Sequence, residues 1–336
     1  MKTLKAFGGD IIELVDVSIP TINADQVRLR PLAVGFCATD IDIIESKIDP
    51  IYVNYPITIG HEWCGVVEEI GSNIKNLKVG DRAVVQGIIP CNDCPECKGG
   101  NTNRCEVYDE YGFTRDGAAS GAVVAKEDLV YKLQSHVSIE SGVLAEPSAV
   151  VTTGFLKSNP KIGAKVLVIG DGTIGLIAAT LIRNWSPAQV DVLGLRKEQE
   201  SLVKQTGADN FYTSEEEVLQ LYDFVVEASG SKKGSEGAFG KIARGGTLLI
   251  FGLIGHEVSI PVFIDDVVNG DFSIFASFGS TTVAWKKTVE LLNTKKLDLT
   301  FLVTHRFSLQ DWEKAFNALK TAPAPRGKVL MIPQGE

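Results

Sequence analysis

A glycine-rich turn in the middle of the chain constrains the fold more than any other feature. Residues 170–175 have the spacing G-x-G-x-x-G; an apolar run at 166–169 precedes them and a stretch of helical composition at 173–184 follows them. In such a unit the glycines permit a tight turn, a close approach of the backbone to a pyrophosphate, and close helix–strand packing. The residues expected to contact a dinucleotide are Gly170, Gly172, Thr173, Ile174 and Gly175. The alternative is a glycine-rich turn in a domain that binds no nucleotide.

The two parts of the chain differ in pattern. Residues 1–150 contain short β-branched or alternating runs between Gly, Asn and Asp turns, which is typical of an antiparallel barrel or sandwich. From residue 165 apolar runs alternate with helical ones, which predicts an α/β fold with a doubly wound parallel sheet. The strand candidates of this part are 166–169, 190–193, 224–226, 247–251 and 272–275. Helices are predicted at 285–293 and 310–320, and a final strand at 328–332.

Composition excludes several classes of protein. A chain of 336 residues, 44% hydrophobic and 22% charged, is long and apolar enough for two packed domains, so disorder is excluded. Its 33 Lys and Arg residues against 42 Asp and Glu residues leave a net charge of −9, which disfavours nucleic acid and anionic membranes as partners. The sequence has no apolar stretch near the ~20 residues that span a bilayer, and we expect a cytoplasmic protein.

Four of the six cysteines are crowded into one short segment. They follow the pattern C-x2-C-x2-C-x7-C and are Cys91, Cys94, Cys97 and Cys105. Four thiolates form a closed tetrahedral shell around Zn²⁺, which leaves no open position for a substrate. We therefore predict a structural zinc lobe at residues 90–106, with two disulfides or an iron–sulfur cluster as the alternatives.

Scattered residues elsewhere complete a known pattern. Three strings are uninformative alone: Cys37-Ala38-Thr39-Asp40, Gly60-His61-Glu62 and Glu146-Pro147. Together with Val-Gly-Asp-Arg at 79–82, Gly-Lys-Val at 327–329, the cysteine lobe and the glycine turn, they resemble the zinc-dependent medium-chain alcohol and polyol dehydrogenases over essentially the whole chain. The resemblance implies a GroES-like, β-rich catalytic domain of residues 1–150 and 276–336, wrapped around a Rossmann domain of residues 151–275.

The resemblance also implies a catalytic zinc held by Cys37, His61 and Glu146, with one position open for water or substrate. With a glutamate as the third ligand, the chain resembles the sorbitol, threonine and sugar dehydrogenase branch of the family rather than the ethanol dehydrogenase branch. In relatives, the carboxylate at the position of Glu62 lies beside the ligands or swings onto the metal as water exchanges. Asp40 is interpreted as the acceptor for the His61 imidazole, with a turn residue as the alternative.

The implied reaction is hydride transfer between a secondary alcohol and a nicotinamide cofactor. Thr39 would accept the alcohol proton, and Asp42 occupies the position of a histidine that relays it onward in many relatives. Residues 116–122 and 277–281 lack side chains typical of sorbitol-type relatives, so polyols, amino alcohols and simpler secondary alcohols stay open as substrates. A threonine-type amino-alcohol dehydrogenase, a zinc-independent reductase and a non-catalytic NADPH-binding protein are the alternatives. Family likeness implies a homodimer or homotetramer.

The choice of dinucleotide depends on the end of the second parallel strand. An NAD site has Asp or Glu about 20 residues past the glycine turn, where it binds the ribose 2′-hydroxyl. Gly194 occupies this position, and Arg196 and Lys197 follow it. We expect the glycine to remove the negative charge and leave room for a 2′-phosphate beside a guanidinium, which predicts NADP(H) rather than a merely solvated basic pair. Asp191 is expected to point elsewhere, and further walls of the dinucleotide site are predicted at Ser229, Gly252 and Leu253.

Overall fold

The structure of the protein, a computed structural model, describes residues 1–333. By its internal contacts the chain divides into two compact units. The first comprises residues 1–149, 280–322 and the segment from 328 onward, and the second comprises residues 150–279 and 323–327. The short segment 323–327 has no counterpart in the sequence prediction, and the predicted domain end at 336 lies outside the described residues.

The strands and helices are numbered in chain order. Up to residue 158 they are β1 (Lys2–Gly8), β2 (Ile11–Asp16), β3 (Gln26–Phe36), α1 (Ala38–Ile44), β4 (Ile57–Thr58), β5 (Glu62–Ile70), β6 (Arg82–Val85), α2 (Pro95–Lys98), β7 (Val123–Lys126), β8 (Val130–Lys132), α3 (Ile139–Val143) and α4 (Ala145–Ser158). Next come β9 (Lys165–Ile169), α5 (Thr173–Leu181), β10 (Gln189–Leu193), α6 (Glu200–Gln205), β11 (Asn210–Tyr212), β12 (Tyr222–Glu227), α7 (Lys232–Phe239), β13 (Ile242–Ile250), α8 (Ile264–Gly270) and β14 (Ser273–Ala276). The last are α9 (Thr282–Asn293), β15 (Val303–Ser308), α10 (Trp312–Thr321) and β16 (Lys328–Ile332).

Mainly antiparallel strands build the first unit. Within residues 1–333, one sheet has the order β2-β1-β4, and a second, of seven strands, has the order β15-β16-β3-β5-β6-β8 with β7 paired to β3. The alternation of buried and half-buried residues along most of β3 is what a strand with one face on a core requires. The C-terminal strand β16 pairs with β3 and so belongs to the first unit.

The register of the central strands brings distant residues to one end of this sheet. β3 ends directly before Cys37, and β5 begins directly after His61. The two strands are antiparallel, so the end of β3 lies beside the start of β5. β16 begins at Lys328 and is also antiparallel to β3. A thiol, an imidazole and an amine are therefore gathered at one sheet end by strand pairing alone.

Parallel strands build the second unit. In the described part of the chain its six strands have the order β11-β10-β9-β12-β13-β14, and each neighbouring pair is parallel. The chain order reverses at β9, and in such sheets ligands bind outside the carboxyl ends of the strands at this point. The glycine turn at 170–175 directly follows β9. The predicted α/β class with a doubly wound sheet is confirmed.

Several predicted elements have different ends in the structure, and two of them have a local reason. β13 begins at Ile242, five residues before the predicted strand. Residues 243–245 are partly exposed and lack the apolar pattern of a buried strand, so the sequence did not predict this first part. α5 ends at Leu181, after which residues 182–185 form a 3₁₀ turn and Ser186 has a left-handed φ of 53°. None of the helices in residues 1–333 is long and apolar enough to cross a membrane.

Candidate functional site

Cys37, His61 and Glu62 form a compact group of metal-ligating side chains at the end of β3 and the start of β5. Their ligand atoms all lie within 4.8 Å of one another. The Cys37 Sγ is 3.2 Å from the His61 Nε2. His61 and Glu62 are buried and Cys37 is half-buried, so a cation bound here is partly shielded from water. The structure thus brings together two of the three predicted zinc ligands with Glu62.

Asp40 holds this group in place from two sides. Cys37 is the N-cap of α1; its backbone N–H donates to the Asp40 Oδ2 at 2.9 Å. The other oxygen, Oδ1, lies 3.4 Å from the His61 Nδ1. Burial opposes ionisation of Asp40, but His61, the Cys37 N–H and Lys328 together hold its pKa below the ordinary value. Asp40 therefore completes the cap of α1 and lies at ion-pair distance from the His61 Nδ1, while the Nε2 of the same ring faces the thiol.

Lys328 supplies the buried cation of the site. Its Nζ lies 2.5 Å and 2.8 Å from the two carboxylate oxygens of Glu62 and 3.3 Å from the Phe36 carbonyl oxygen. Both side chains of the pair are almost completely buried. The Gly-Lys-Val string at 327–329 carries the family resemblance, but no sequence pattern indicates this role of Lys328. Glu62 is thus neutralised by a protein cation.

Glu146 lies outside the group of three. It is buried in the first turn of α4, and in residues 1–333 its carboxylate makes no ion pair within 4 Å. Burial, reinforced by the charges of Glu62 and Glu110, raises the pKa of Glu146 to about 8, although His61 and Lys328 favour its ionised form. Glu110, which no sequence motif marks as a site residue, is buried beside the hydroxyl of Tyr108. The site therefore contains more buried carboxyl groups than protein cations to balance them.

The two predicted proton carriers lie on α1. Thr39 is half-buried, and its backbone N–H donates to the Cys37 Sγ at 3.3 Å. Asp42 follows one turn later and is also half-buried, and burial raises its pKa even though Lys47 opposes the shift. A carboxyl group with a raised pKa takes up a proton more readily than an exposed one.

The donor set of this centre fits zinc. A thiolate, an imidazole nitrogen and a carboxylate oxygen are the ligands of mononuclear zinc sites. The Asp40 Oδ1 and His61 Nδ1 are buried and make no hydrogen bond. Burial lowers the pKa of His61, yet Cys37 and Asp40 raise it well above its ordinary value, so the electrostatics favour positive charge at the imidazole. His61, Cys37 and a nearby carboxylate could hold a metal ion without rearrangement of the strands.

The cysteine lobe also fits a metal. The thiols of Cys91, Cys94, Cys97 and Cys105 lie within 4.8 Å of one another, and all of the chain's cysteines are free. Backbone N–H groups point at the sulfurs: Cys94 donates to the Cys91 Sγ at 3.3 Å and Cys97 to the Cys94 Sγ at 3.4 Å. The Cys94 and Asp93 N–H groups, both of which donate to the Cys91 Sγ, lower the pKa of Cys91 to about 6. Such donors stabilise thiolates, the form that binds zinc.

The surroundings of each glycine in the turn after β9 differ, and they show why a larger side chain is absent or where space is left open. Gly170 has φ +122°, and a Cβ there would lie 2.7 Å from the backbone of Ala228. A Cβ at Gly175 would lie 2.0 Å from the Gly170 carbonyl oxygen, so helix and strand pack too closely for a side chain. Gly172 caps α5 and faces open space, with nothing within 4 Å of its Cβ position. This arrangement leaves room for a pyrophosphate at the N-terminus of α5, where Thr173 and Ile174 begin the helix.

The structure corrects the expectation for Gly194, where we predicted an open and uncharged space. A Cβ at Gly194 would lie 2.6 Å from the Asp171 Oδ2, so the carboxylate of Asp171 fills that space. Asp171 also accepts from the backbone N–H of Leu195 at 3.2 Å and forms an ion pair of 3.2 Å with Arg196. Lys197 is exposed at the start of a 3₁₀ turn. Asp171 lies at a variable position of the glycine turn, so its acidic side chain there is the sequence signal for this contact.

The remaining predicted residues follow β12 and β13 or lie within β10. Ser229 donates through its backbone N–H to the Oε1 of Glu227, which is fully buried at the end of β12. A Cβ at Gly252 would lie 2.3 Å from the Glu227 Oε2, and the side chain of Leu253 is 90% exposed. Asp191 is fully buried in β10 and accepts from the Tyr222 hydroxyl at 2.7 Å, so its carboxylate is held by the strands' own side chains.

Comparison with known proteins agrees with both halves of this description. Residues 23–135 match the family model for the alcohol dehydrogenase GroES-like domain, and residues 139–322 match that for the glucose dehydrogenase C-terminus. The chain is 29% identical to L-idonate 5-dehydrogenase of Vitis vinifera over 89% of this chain and 86% of that protein. It is 30% identical to D-xylulose reductase of Saccharomyces cerevisiae over 96% of this chain and 95% of that protein.

A solved structure shows the same fold. The protein from Sinorhizobium meliloti 1021, described as a zinc-binding dehydrogenase and bound to NADP, superimposes with a TM-score of 0.92 at 24% identity, covering 99% of each chain. The family models and the relatives together span both units and the residues of the Cys37–His61 group. The chain therefore belongs to the zinc-dependent medium-chain dehydrogenase family, among its alcohol and polyol dehydrogenases.

Proposed function

We propose that this protein is a zinc-dependent dehydrogenase that transfers a hydride between a secondary alcohol of the polyol or sugar-alcohol class and NADP(H). The observation that carries the proposal is the buried contact of 3.2 Å between the Cys37 Sγ and the His61 Nε2, surrounded by carboxyl groups. The relatives named above are an L-idonate 5-dehydrogenase and a D-xylulose reductase, which supports a sugar-derived substrate class. On this proposal the first unit is the catalytic domain and the second binds the dinucleotide.

Cys37, His61 and Glu146 would hold the catalytic metal. Lys328 neutralises Glu62, whereas Glu146 is buried without an ion pair in the described residues, which favours Glu146 as the third ligand. Zinc bound there supplies a Lewis acid that lowers the pKa of a bound alcohol. Glu62, which forms an ion pair with Lys328, is then a carboxylate beside the metal ligands that could bind the metal as an alternative ligand.

The chain's own residues then carry the proton. The backbone N–H of Thr39 is bonded to the Cys37 Sγ, and Thr39 lies in the first turn of α1, two residues after this proposed ligand. Its hydroxyl oxygen accepts the alcohol proton as it passes its own proton onward. Asp42, whose pKa burial raises, is the next acceptor along α1.

Three cations support NADP(H) as the cofactor. Arg196 and Lys197 follow β10, and Arg326 is electrostatically coupled to both Arg196 and Asp171. A guanidinium pairs with phosphate in a bidentate manner, and an ammonium adds charge. Titration of the protein with NADPH and NADH, followed by the fluorescence of each, tests the proposal; tighter binding of NADH contradicts it.

We also propose that the cysteine lobe holds a structural zinc. The four converging free thiols and their N–H donors support it, and they favour a reducing compartment such as the cytoplasm. Metal analysis of the purified protein should find one zinc at each centre. Filling of the lobe alone would contradict the catalytic assignment.

We further propose that two copies associate through the edge of β14. This strand ends the order of the parallel sheet, so in the described residues its outer edge has no strand neighbour. Phe263, Ile264 and Val268 are each more than 60% exposed nearby, and Ile274 lies on the strand itself. An open edge with apolar side chains is a template for pairing, and a second copy offers the same edge by two-fold symmetry. Light scattering should give a dimer or a larger assembly that Ile274→Lys dissociates; a monomeric wild type contradicts this.

The catalytic proposal is tested with a substrate panel. Polyols, ketoses and short secondary alcohols are offered to the zinc-replete protein with each dinucleotide, and formation or loss of NADPH absorbance is followed. We expect turnover with at least one polyol or ketose. Absence of turnover across the panel with both dinucleotides would contradict the proposed activity.

A further inference from the structure

The residue between the first two glycines of the turn has an unusual environment. Asp171 is 7% exposed, and its carboxylate faces the loop that follows β10. The Oδ2 accepts from the backbone N–H groups of Leu195 at 3.2 Å and Arg196 at 3.4 Å. The Oδ1 accepts from the Arg196 Nη2 at 3.2 Å. Two backbone donors and a guanidinium thus converge on one anionic group.

Such a donor set is the one that proteins use for phosphate. Successive backbone N–H groups form a concave anion site, and an arginine adds a charged planar donor. Here the anion in the site belongs to the protein itself. Asp171 therefore occupies a site whose chemistry suits a phosphate group.

The position of this site identifies which phosphate it suits. Dinucleotide folds that select NAD have an acidic residue at the end of the second strand, which binds the ribose 2′-hydroxyl. Gly194 is at that end, and the Asp171 Oδ2 lies 2.6 Å from the point where its Cβ would be. Gly194 has no acidic side chain at the end of β10, but the carboxylate of Asp171, from the turn after β9, places a negative charge at the same position.

Gln199 ties the backbone of a second arginine, Arg326, to the backbone of Asp171. The side-chain amide of Gln199, which is fully buried, donates to the carbonyl oxygens of Asp171 at 2.8 Å and Arg326 at 3.0 Å. It also accepts from the Arg326 N–H at 2.6 Å. Burial and the charge of Arg196 lower the pKa of Arg326, whereas Asp171 raises it. In the described residues only Arg196 forms an ion pair with Asp171, while Arg326 lies close enough for the charge of Asp171 to act on it.

We infer that Asp171 is a specificity-determining residue that competes with the 2′-phosphate of NADP(H) for Arg196 and the backbone N–H groups of Leu195 and Arg196. This inference rests on the proposed use of NADP(H). The 2′-phosphate binds when it displaces the carboxylate, whereas an unphosphorylated ribose leaves the carboxylate in place. Asp171 thus reduces the ratio of NADP(H) affinity to NAD(H) affinity below the value that the nearby arginine and lysine side chains would give without it.

The test compares two adenosine nucleotides that differ only at this position. Binding of adenosine 2′,5′-bisphosphate and of AMP to the zinc-replete protein is measured by calorimetry, for the wild type and for Asp171→Asn. The amide keeps the shape of the carboxylate and removes its charge. We expect about tenfold tighter binding of the bisphosphate, because a like charge beside the phosphate is removed. AMP should bind equally well or more weakly.

Glu198→Gln is the matched control. Glu198 is an exposed acidic residue two positions after Arg196, so this variant makes the same change in net charge. It should alter binding of either nucleotide by less than about twofold. Asp171→Ser provides a second uncharged side chain if Asp171→Asn does not fold, and it should act in the same direction. Equal effects of Asp171→Asn and Glu198→Gln, or an unchanged ratio of the two affinities, would overturn the inference.

The outcome for the wild type separates this inference from the proposed cofactor. Wild-type protein that binds AMP more tightly than the bisphosphate contradicts the proposed NADP(H) preference. A gain in bisphosphate binding by Asp171→Asn in that same protein still supports the role of Asp171. Conversely, a wild type that prefers the bisphosphate, with no gain in either Asp171 variant, keeps the cofactor proposal and overturns the inference.

Discussion

The two candidate metal centres obtain their ligands in different ways. The cysteine lobe takes all four thiols from residues 91–105, where α2 is only four residues long. The Cys37–His61 centre is assembled at the ends of β3, β5 and β16, which are far apart in sequence. The lobe has little apolar area to fold it without metal, whereas the strands of the other centre are fixed by a sheet. Loss of metal should therefore affect the fold of the lobe and the chemistry of the strand-built centre.

Replacement of a ligand in the strand-built centre should have the largest effect on activity. Cys37→Ser should reduce turnover more than about a hundredfold, since loss of a direct ligand costs more than loss of a residue that only orients one. Binding of NADPH, measured by fluorescence, should stay within about twofold of the wild type. The expected result is thus a folded protein that binds the dinucleotide and does not turn over.

Cys64→Ala is the control for this variant. Cys64 is fully buried in β5, and burial raises the pKa of its thiol to about 12, so it stays protonated. Its removal should leave turnover within about twofold. Substantial turnover by Cys37→Ser would mean that this centre does not carry the reaction.

Replacement of a ligand in the lobe should have the opposite profile. Cys97→Ser should lose the lobe's zinc and lower the free energy of unfolding by several kcal/mol, because metal binding contributes directly to folding of such small elements. NADPH binding by the folded fraction should persist. Metal analysis and thermal unfolding check the prediction. Asp93→Ala is the control, because the exposed ion pair of Asp93 with Lys98 contributes under about 1 kcal/mol to the free energy of unfolding. Unchanged stability would show that the lobe does not depend on metal.

The same contrast explains how much could be predicted from sequence. The lobe and the glycine turn are local patterns, so the spacing of their residues alone brings them together. Cys37 and His61 could be assigned only through family resemblance, since their contact depends on the antiparallel register of β3 and β5. The ion pair of Glu62 with Lys328 joins residues with no pattern in common. Asp171 was overlooked because it occupies a position that the glycine pattern leaves variable.

The buried ion pair beside the strand-built centre gives a further test. Lys328→Met leaves the carboxylate of Glu62 buried without its cation, which should cost about 3–5 kcal/mol of unfolding free energy. The double variant Lys328→Met with Glu62→Gln removes both charges and should recover most of that loss. Urea unfolding of the two single variants, the double variant and the wild type measures the coupling. Equal losses in the single Lys328 variant and the double variant would mean that Glu62 is not the partner that matters.

Asp81 gives the smallest expected effect and serves as a reference for the carboxyl groups of the metal centre. Unlike Glu146, it is buried with protein partners: its oxygens lie 2.7 Å from the Lys132 Nζ and 3.0 Å from the Lys78 N–H. Burial raises the pKa of Asp81, but these two partners outweigh it and hold the pKa below the ordinary value.

Because the pKa of Asp81 is lower in the folded state, its contribution is fully present above the unfolded pKa of about 4 and is lost as pH falls through the folded value. Asp81→Asn should therefore be about 1 kcal/mol less stable than the wild type at neutral pH, and the difference should shrink below about pH 4. Urea unfolding across this range measures it, and a difference independent of pH would contradict the assigned partners. A buried carboxylate that the protein alone satisfies loses stability in acid in this way. Glu146 has no ion-pair partner in the described residues, and burial raises its pKa to about 8, so a cation bound beside it would favour its ionised form.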